Sequence, residues 1–430
     1  VKRIMVLGFL FAIFFPFEAR ADELDLQKLI NQSLSGEELQ IPAGVYSGPI
    51  TIQKEISLVG NGDVIIEGDG EKPIISVTET ENVKIQSLTL HGQGNGDGNS
   101  GIHMKDVKNI AIEEVKMTNV TSGVKAERAR KLYLSNLTIT GLSAHFSEKG
   151  NGLSIYDSDQ IEIYNTTIHD VQDGFYMERV EQLKLVGNHV SSSRYGIHIM
   201  YVDYARASDN EFQENVTGMM IMMTNNTDIV HNFIYDHQEL NGSGMILFEG
   251  KHINIENNEL VSNTVGLSLQ SISDSIVKNN QFRTNQTGVT LVKSAKETKV
   301  TNNEFSGNIV NLRSDENGGI IHRNYYDDYQ GLDMEEDGIG DTPYSAVQSF
   351  GQWMVRKPVY QYFVEAPAVV LLNELDSQTK QTGTVLIDEE PKMSMTTQKR
   401  EDKQINFAQL IGALLLVLGL IGLWRKEALI

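Results

Sequence analysis

The sequence predicts an all-β chain. The expected fold is a right-handed parallel β-helix solenoid with a short N-terminal capping helix and a C-terminal transmembrane helix. Three observations carry the solenoid. Glycines at 152, 174, 196 and 218, and again at 244, 266 and 288, recur every 22 residues, with one interval of 26 between Gly218 and Gly244. A period between 20 and 50 residues marks stacked repeats. Within each repeat, as in GMILFEGKHINIENNELVSNTV (244–265), short apolar runs of period 2 are broken by Gly and Asn, the pattern of strands and turns. Asn188, Asn210, Asn232, Asn258 and Asn280 each fall 14 residues after their glycine. Stacking the repeats would set these amides into a ladder with a rung about every 4.8 Å.

Composition agrees and excludes. Of 430 residues, 40% are apolar and 22% charged, and the formal net charge of −21 leaves no basic surface for nucleic acid. Cysteine is absent, which removes disulfides, CxxC metal transfer and zinc ribbons together. A globular chain of this length would be expected to divide into domains, but a solenoid need not, because each coil contacts mainly its neighbours.

In chain order, residues 1–21 read as a signal peptide: Val1-Lys2-Arg3, an apolar run from Ile4 to Phe17, then Ala19-Arg20-Ala21. Residues 22–40 are the capping segment. Leu24, Leu26, Leu29, Ile30 and Leu34 have the spacing of one amphipathic helix over 23–35, which would cover the open edge of the first coil. The β-helix is expected over 41–345. Gly101 and Gly123 join its register, with seven residues inserted in 141–151 and four in 235–244. Residues 346–375, with Trp353, Pro358 and Pro367, form a C-terminal cap or docking segment. Residues 376–404 read as a polar stalk. The transmembrane anchor is placed at 405–424, where eighteen residues from Phe407 would span roughly 27 Å of helix. The alternative for that run is a buried capping helix. Arg425 and Lys426 put the tail, 425–430, in the cytoplasm and the solenoid on the extracytoplasmic face of the cell membrane.

Alternation assigns the faces. The first and third residues after each glycine (Ile197 and Ile199, Met219 and Ile221) are apolar and point inward, so the second and fourth point outward. The outward columns are solvated at both ends. Their middle holds Tyr156, Tyr176, His198, Met200, Met220, Met222, Ile246 and Phe248. An exposed apolar patch of this kind marks a partner surface. Thioethers and imidazole also suit Cu(I). The bland alternative is that the 235–244 loop folds over the patch and buries it. A second motif, Asp333-Met-Glu335-Glu-Asp337-Gly338-Ile339-Gly-Asp341, has the ligand order of a calcium loop, although Tyr344 stands where a bidentate Glu is required. A plain acidic turn fits it equally.

The competing class is an enzyme on the same scaffold: a polysaccharide lyase, hydrolase or epimerase. Glycosidases need paired carboxylates on one face. Asp170, Asp173 and Glu178 are the nearest candidates, while Arg179 and Arg194 read as isolated bases.

The run NYYDDYQGLDMEEDGIGDTPY (324–344), followed by VEAPAVVLLNEL (364–375), resembles the NosD family of accessory proteins for nitrous oxide reductase. GIHIMYVDYARASDNEF (196–212) is similar to that family's Gly-x-His-x-Met-Tyr coil, which singles out Gly196, His198, Met200 and Tyr201. The resemblance spans about residues 40–375. It implies a non-enzymatic role outside the membrane in copper delivery or copper-site assembly, with copper bound transiently. The implied partners are the permease and ATPase subunits of an ABC transporter, a copper chaperone lipoprotein and nitrous oxide reductase. The candidate surface is then Tyr176, His198, Met200, Tyr201, Met220, Met222 and Phe248, and the candidate calcium ligands are Asp333, Glu335, Asp337 and Asp341.

Overall fold

A computed structural model describes residues 25–395, apart from 94–95, 97, 143–147, 241, 294–296, 315–318, 347–356, 364–365 and 379–385. The expected signal peptide, the anchor and tail at 405–430, and Leu24 and Trp353 lie outside the described residues. Among the described residues no helix is long and apolar enough to cross a membrane. The chain divides into two compact units, Val1–Met393 and Ser394–Ile430; only two residues of the second are described.

One coil shows how the sequence builds the rest. Tyr195–Met200, Asp203–Ser208 and Glu211–Gln213 form its first, second and third strands. Each pairs in parallel with its counterparts one coil before and one coil after. Ile197 and Ile199, Ala205 and Ala207, and Phe212 turn inward and are buried. Burying each large apolar side chain contributes about 1.5–3 kcal/mol, so every coil carries its own share of the core.

The 22-residue glycine is a packing glycine. A Cβ on Gly196 would stand 2.4 Å from the Phe212 ring and 2.5 Å from the carbonyl oxygen of Gly218, and Gly174, Gly218, Gly244, Gly266 and Gly288 are equally confined. The left-handed corners fall instead to polar side chains, as at Asp209 (φ 57°), Glu214 (φ 51°) and Asn257 (φ 56°).

The amide ladder runs through Asn188, Asn210, Asn232, Asn258 and Asn280 and on to Asn303 and Asn324. Each Nδ2 donates to the Oδ1 of the next rung at 2.9–3.0 Å. Each backbone N–H donates to that same Oδ1. A second ladder lines another corner through Asn215, His237, Asn263, Asn285 and Asn308.

At the N-terminal end, α1 (Leu26–Gln32) buries Leu26 and Ile30, with Asp25 Oδ1 capping Lys28 N–H at 3.1 Å. Gln27 exchanges two bonds with the backbone of Thr51 in the strand Ile50–Ile52. The helix is shorter than the 23–35 its apolar spacing suggests. Ser33 turns extended (ψ 150°), and Leu34 lies outside the helix and 76% exposed.

At the C-terminal end the expected stalk is in part a closure. Residues 386–393, inside the 376–404 segment, return to the last coils. Asp388 is fully buried, and its Oδ2 accepts from Asn324 N–H, Asn324 Nδ2 and Tyr326 Oη at 2.9, 3.0 and 3.1 Å. The carboxylate thus ends the ladder where no further amide follows. Phe282, Phe305, Tyr326 and Tyr344 stack beneath it, ring to ring, at 5.0, 5.3 and 3.7 Å. α2 (Pro367–Gln378) begins in the expected docking segment, runs three residues into the expected stalk, and exposes Val370, Leu371, Leu372 and Leu375.

Candidate functional site

The outward columns on the first-strand face fall into register as alternation requires. Tyr176 pairs with His198, His198 with Met220 and Met220 with Ile246; Glu178 pairs with Met200, Met200 with Met222 and Met222 with Phe248. His198, Met200, Met220 and Met222 therefore occupy a two-by-two block: two positions on each of two adjacent strands, about 4.8 Å apart across the coils. All four side chains are half-buried. Tyr201 stands beside them at the corner, at φ 55° and 52% exposed.

Beneath the block lies an ion cluster. Asp173 is fully buried, and Arg194 grips it through Nε and Nη2 at 2.8 and 2.7 Å. His198 Nδ1 meets Asp173 Oδ2 at 2.8 Å. Burial by itself would raise the Asp173 carboxyl, but bonds from His198 and Arg194 hold it below the usual carboxylate range. The carboxylate thus fixes the imidazole's orientation and leaves Nε2 as the ring atom not committed to it. The rings of Tyr176 and Tyr195 each meet the imidazole edge-on, with centroids at 5.0 Å.

Tyr176 Oη donates to Glu178 Oε2 at 3.1 Å. Burial, reinforced by that carboxylate, pushes the phenol up to about 12. At neutral pH it is a proton donor, and a general base is not available from it. Glu178 is held in turn by Arg179, which also bonds Asp157 at 2.5 Å. Asp170 sits apart at a corner, 3.2 Å from His169.

Neither arginine is isolated, contrary to the expectation from sequence: Arg194 anchors Asp173 and Arg179 anchors Asp157 and Glu178. Asp173, a candidate catalytic carboxylate by its position, is through burial and double pairing a support for His198. The signal is present in the sequence. Asp173 stands just before a register glycine, a place held elsewhere by Tyr195, Thr217, Ser243 and Thr287, and Arg194 comes one residue before that place on the next coil.

The inserted loop 235–244 closes on itself through Gly242 N–H to Glu239 O at 2.7 Å, and Leu240 at its tip is 91% exposed. His237, from the same loop, is threaded into the second ladder.

The acidic loop does not gather ligands for calcium. Asp333 accepts from Asp337 and Gly338 N–H, Asp337 from Ile339 N–H, and Asp341 from Met334 N–H at 2.6 Å, while Glu335 is exposed. Among the described residues no group of three His, Asp or Glu side chains converges for a metal. The motif is a self-bonded turn that seats the returning segment: Gly340 N–H donates to Pro391 O at 2.8 Å and Met393 N–H to Gly338 O at 3.0 Å.

Comparison with known proteins places this architecture. A family model described as periplasmic copper-binding protein (NosD) matches residues 135–331, and one described as a right-handed β-helix region matches 63–205. A probable ABC transporter binding protein NosD from Stutzerimonas stutzeri is 22% identical over 420 residues, covering 84% of this chain and 87% of that protein. Among solved structures, a mutant of the periplasmic alginate epimerase AlgG is similar, with TM-score 0.54, 12% identity, and 70% of this chain and 82% of that one covered. DFA-IIIase from Arthrobacter chlorophenolicus A6 without its lid is similar with TM-score 0.50, 13% identity, and 68% and 92% covered. At such identities these two show a shared fold and nothing of the chemistry.

Proposed function

Since this chain carries a NosD-family β-helix domain, we propose that it is a non-enzymatic accessory protein for nitrous oxide reductase maturation that takes copper as cargo on the His198–Met200–Met220–Met222 block. The observation supporting this is the block itself. Three thioethers and one imidazole share one half-buried face on adjacent coils, and this soft donor set favours Cu(I) over harder divalent ions. Asp173 gives the imidazole the carboxylate partner that metal-ligating histidines commonly have. Tyr176, Tyr201 and Phe248 border the block and would form the rim on which a partner docks. The proposed partners are the permease and ATPase subunits of an ABC transporter, a copper chaperone lipoprotein and the reductase. The proposed location is the outer face of the membrane, held there by the 405–424 segment.

Titration with Cu(I) against a colorimetric chelator tests the assignment. Replacing Met200, Met220 and Met222 together by Leu keeps volume and removes the thioethers, so affinity should collapse while thermal stability holds. Asp173→Asn should weaken Cu(I) binding by about 10–100-fold, the usual cost of losing a ligand's supporting partner. Unchanged affinity in the triple variant would remove copper from this face.

A second reading, an acid–base enzyme acting on polysaccharide, draws on the same Asp173–His198 pair with its two flanking tyrosines. Turnover of alginate or pectin by the purified chain, lost in His198→Ala, would establish it instead.

A further inference from the structure

A groove of about 730 Å³ runs along a different face of the solenoid, over the second strands. It crosses six successive coils in strict register. Five steps of about 4.8 Å give it a length near 24 Å. One wall is a row of left-handed corners that includes Asn82, Asn109, Gln160 and Gln182, with φ between 54° and 58°. The facing column carries Lys84, Tyr133, Glu162, Lys184 and Arg206, with Ala111 opening a dip between the first two.

Its charge runs against that of the molecule. Four lining side chains are cationic (Lys84, Lys131, Lys184 and Arg206) and only Glu162 is acidic, in a chain of net charge −21. Lys84 and Arg206 share their charge with Glu113 and Asp228, at 3.1 and 3.6 Å. Lys184 lies 5.1 Å over the Tyr164 ring, and Tyr164, whose hydroxyl donates to Glu162 at 2.9 Å, together with the Glu162 charge raises the pKa of the Lys184 ammonium. Tyr204 and Tyr133 are 58% and 39% exposed at the groove.

We propose that this groove binds an anionic glycan, a uronate-type chain laid along the solenoid axis across the coils. Three features select that ligand. Lysines recognise its carboxylates. Primary amides offer the paired donor and acceptor that sugar hydroxyls need. Exposed tyrosine faces take the apolar side of a pyranose. Spacing separates this chain from an acidic peptide. An extended polypeptide rises about 3.3 Å per residue and slips out of step with coils about 4.8 Å apart, whereas an extended pyranose chain advances by close to one coil per sugar.

The full chain is titrated calorimetrically with hexagalacturonate, cellohexaose and hexaglutamate at low and moderate salt. Hexagalacturonate should bind at least tenfold tighter than either of the others, more weakly with added salt, and progressively tighter from the dimer to the hexamer. Lys131→Gln with Lys184→Gln, and separately Tyr204→Ala, should each weaken it about tenfold. Both are surface changes of the kind that shift stability little. The Met200, Met220 and Met222 triple Leu variant should bind glycan as the parent does, which separates this surface from the copper block. Equal binding of hexaglutamate, no gain with chain length, or no binding of the uronate would each overturn the proposal.

Discussion

Position 237 exchanges an amide for an imidazole inside the second ladder. His237 Nδ1 lies 3.1 Å from Asn215 N and 3.0 Å from Asn215 O, where the neighbouring coils offer an asparagine oxygen, and Nε2 is left buried without a partner. Burial holds the ring's pKa at about 4, down from 6.5. Above pH 6.5 the ring is neutral in folded and unfolded chains alike, and its contribution to stability is fully present. Between pH 6.5 and 4 only the unfolded chain takes up the proton, so stability falls as pH falls, by on the order of 3 kcal/mol in total. His237→Asn restores the ladder's own side chain and should flatten that dependence. Denaturant midpoints at pH 7 and pH 4.5 should converge in the variant and diverge in the parent. The residue scale also shows where the sequence was legible. Ladder asparagines and outward columns follow from spacing alone, because parallel stacking converts a fixed offset into contact. His237 and the Asp173–Arg194 pair break the pattern, and a broken pattern has no register from which to read a partner.

Among the elements, the segment at 386–393 was the least foreseeable. Asp388 meets Asn324 across 64 residues of chain, and nothing local to either residue announces the contact. The acidic motif at 333–341 adopts a turn, the alternative its sequence left open beside a cation loop. Three of its carboxylates, Asp333, Asp337 and Asp341, accept from the turn's own backbone, and the turn also holds Pro391 and Met393. Asp388→Ala would leave the N–H of Asn324 and the Tyr326 hydroxyl without their acceptor, each costing about 1–3 kcal/mol when buried, while Asn324 Nδ2 keeps the carbonyls of Val300 and His322. The expected result is local: amides of 386–393 and of the coil at 320–326 lose protection from hydrogen exchange, and those of the central coils keep it. Uniform loss of protection along the chain would show that the closure supports the whole solenoid.

At the scale of the molecule, the coils repeat one contact set, so stability accumulates along one dimension and local openings need not spread. The fold was legible because every coil restates it. The candidate surface was legible only as a patch, because what lies beneath it depends on side chains one coil apart. The groove face escaped sequence reading altogether: its cations and amides are scattered singly through six coils and align only once the register is known.

The ladder also gives the solenoid a plus end and a minus end. Every rung hands its backbone N–H and one amide hydrogen toward the C-terminus, Asn188 to Asn210, Asn210 to Asn232, and so on to Asp388, while Nδ2 also donates back to a carbonyl of the preceding coil. Cutting coils from the N-terminal side bares an amide oxygen, an acceptor that water or a loop readily serves. Cutting from the C-terminal side takes the acceptor from a backbone N–H, while the rung's Nδ2 keeps its carbonyl partners, and an unserved buried donor is the rarer and costlier condition. A chain ending at Ser306 should therefore melt below the full chain or self-associate, with circular dichroism and light scattering as the readouts. The buried carboxylate of Asp388 supplies the acceptor that the last rung would otherwise lack.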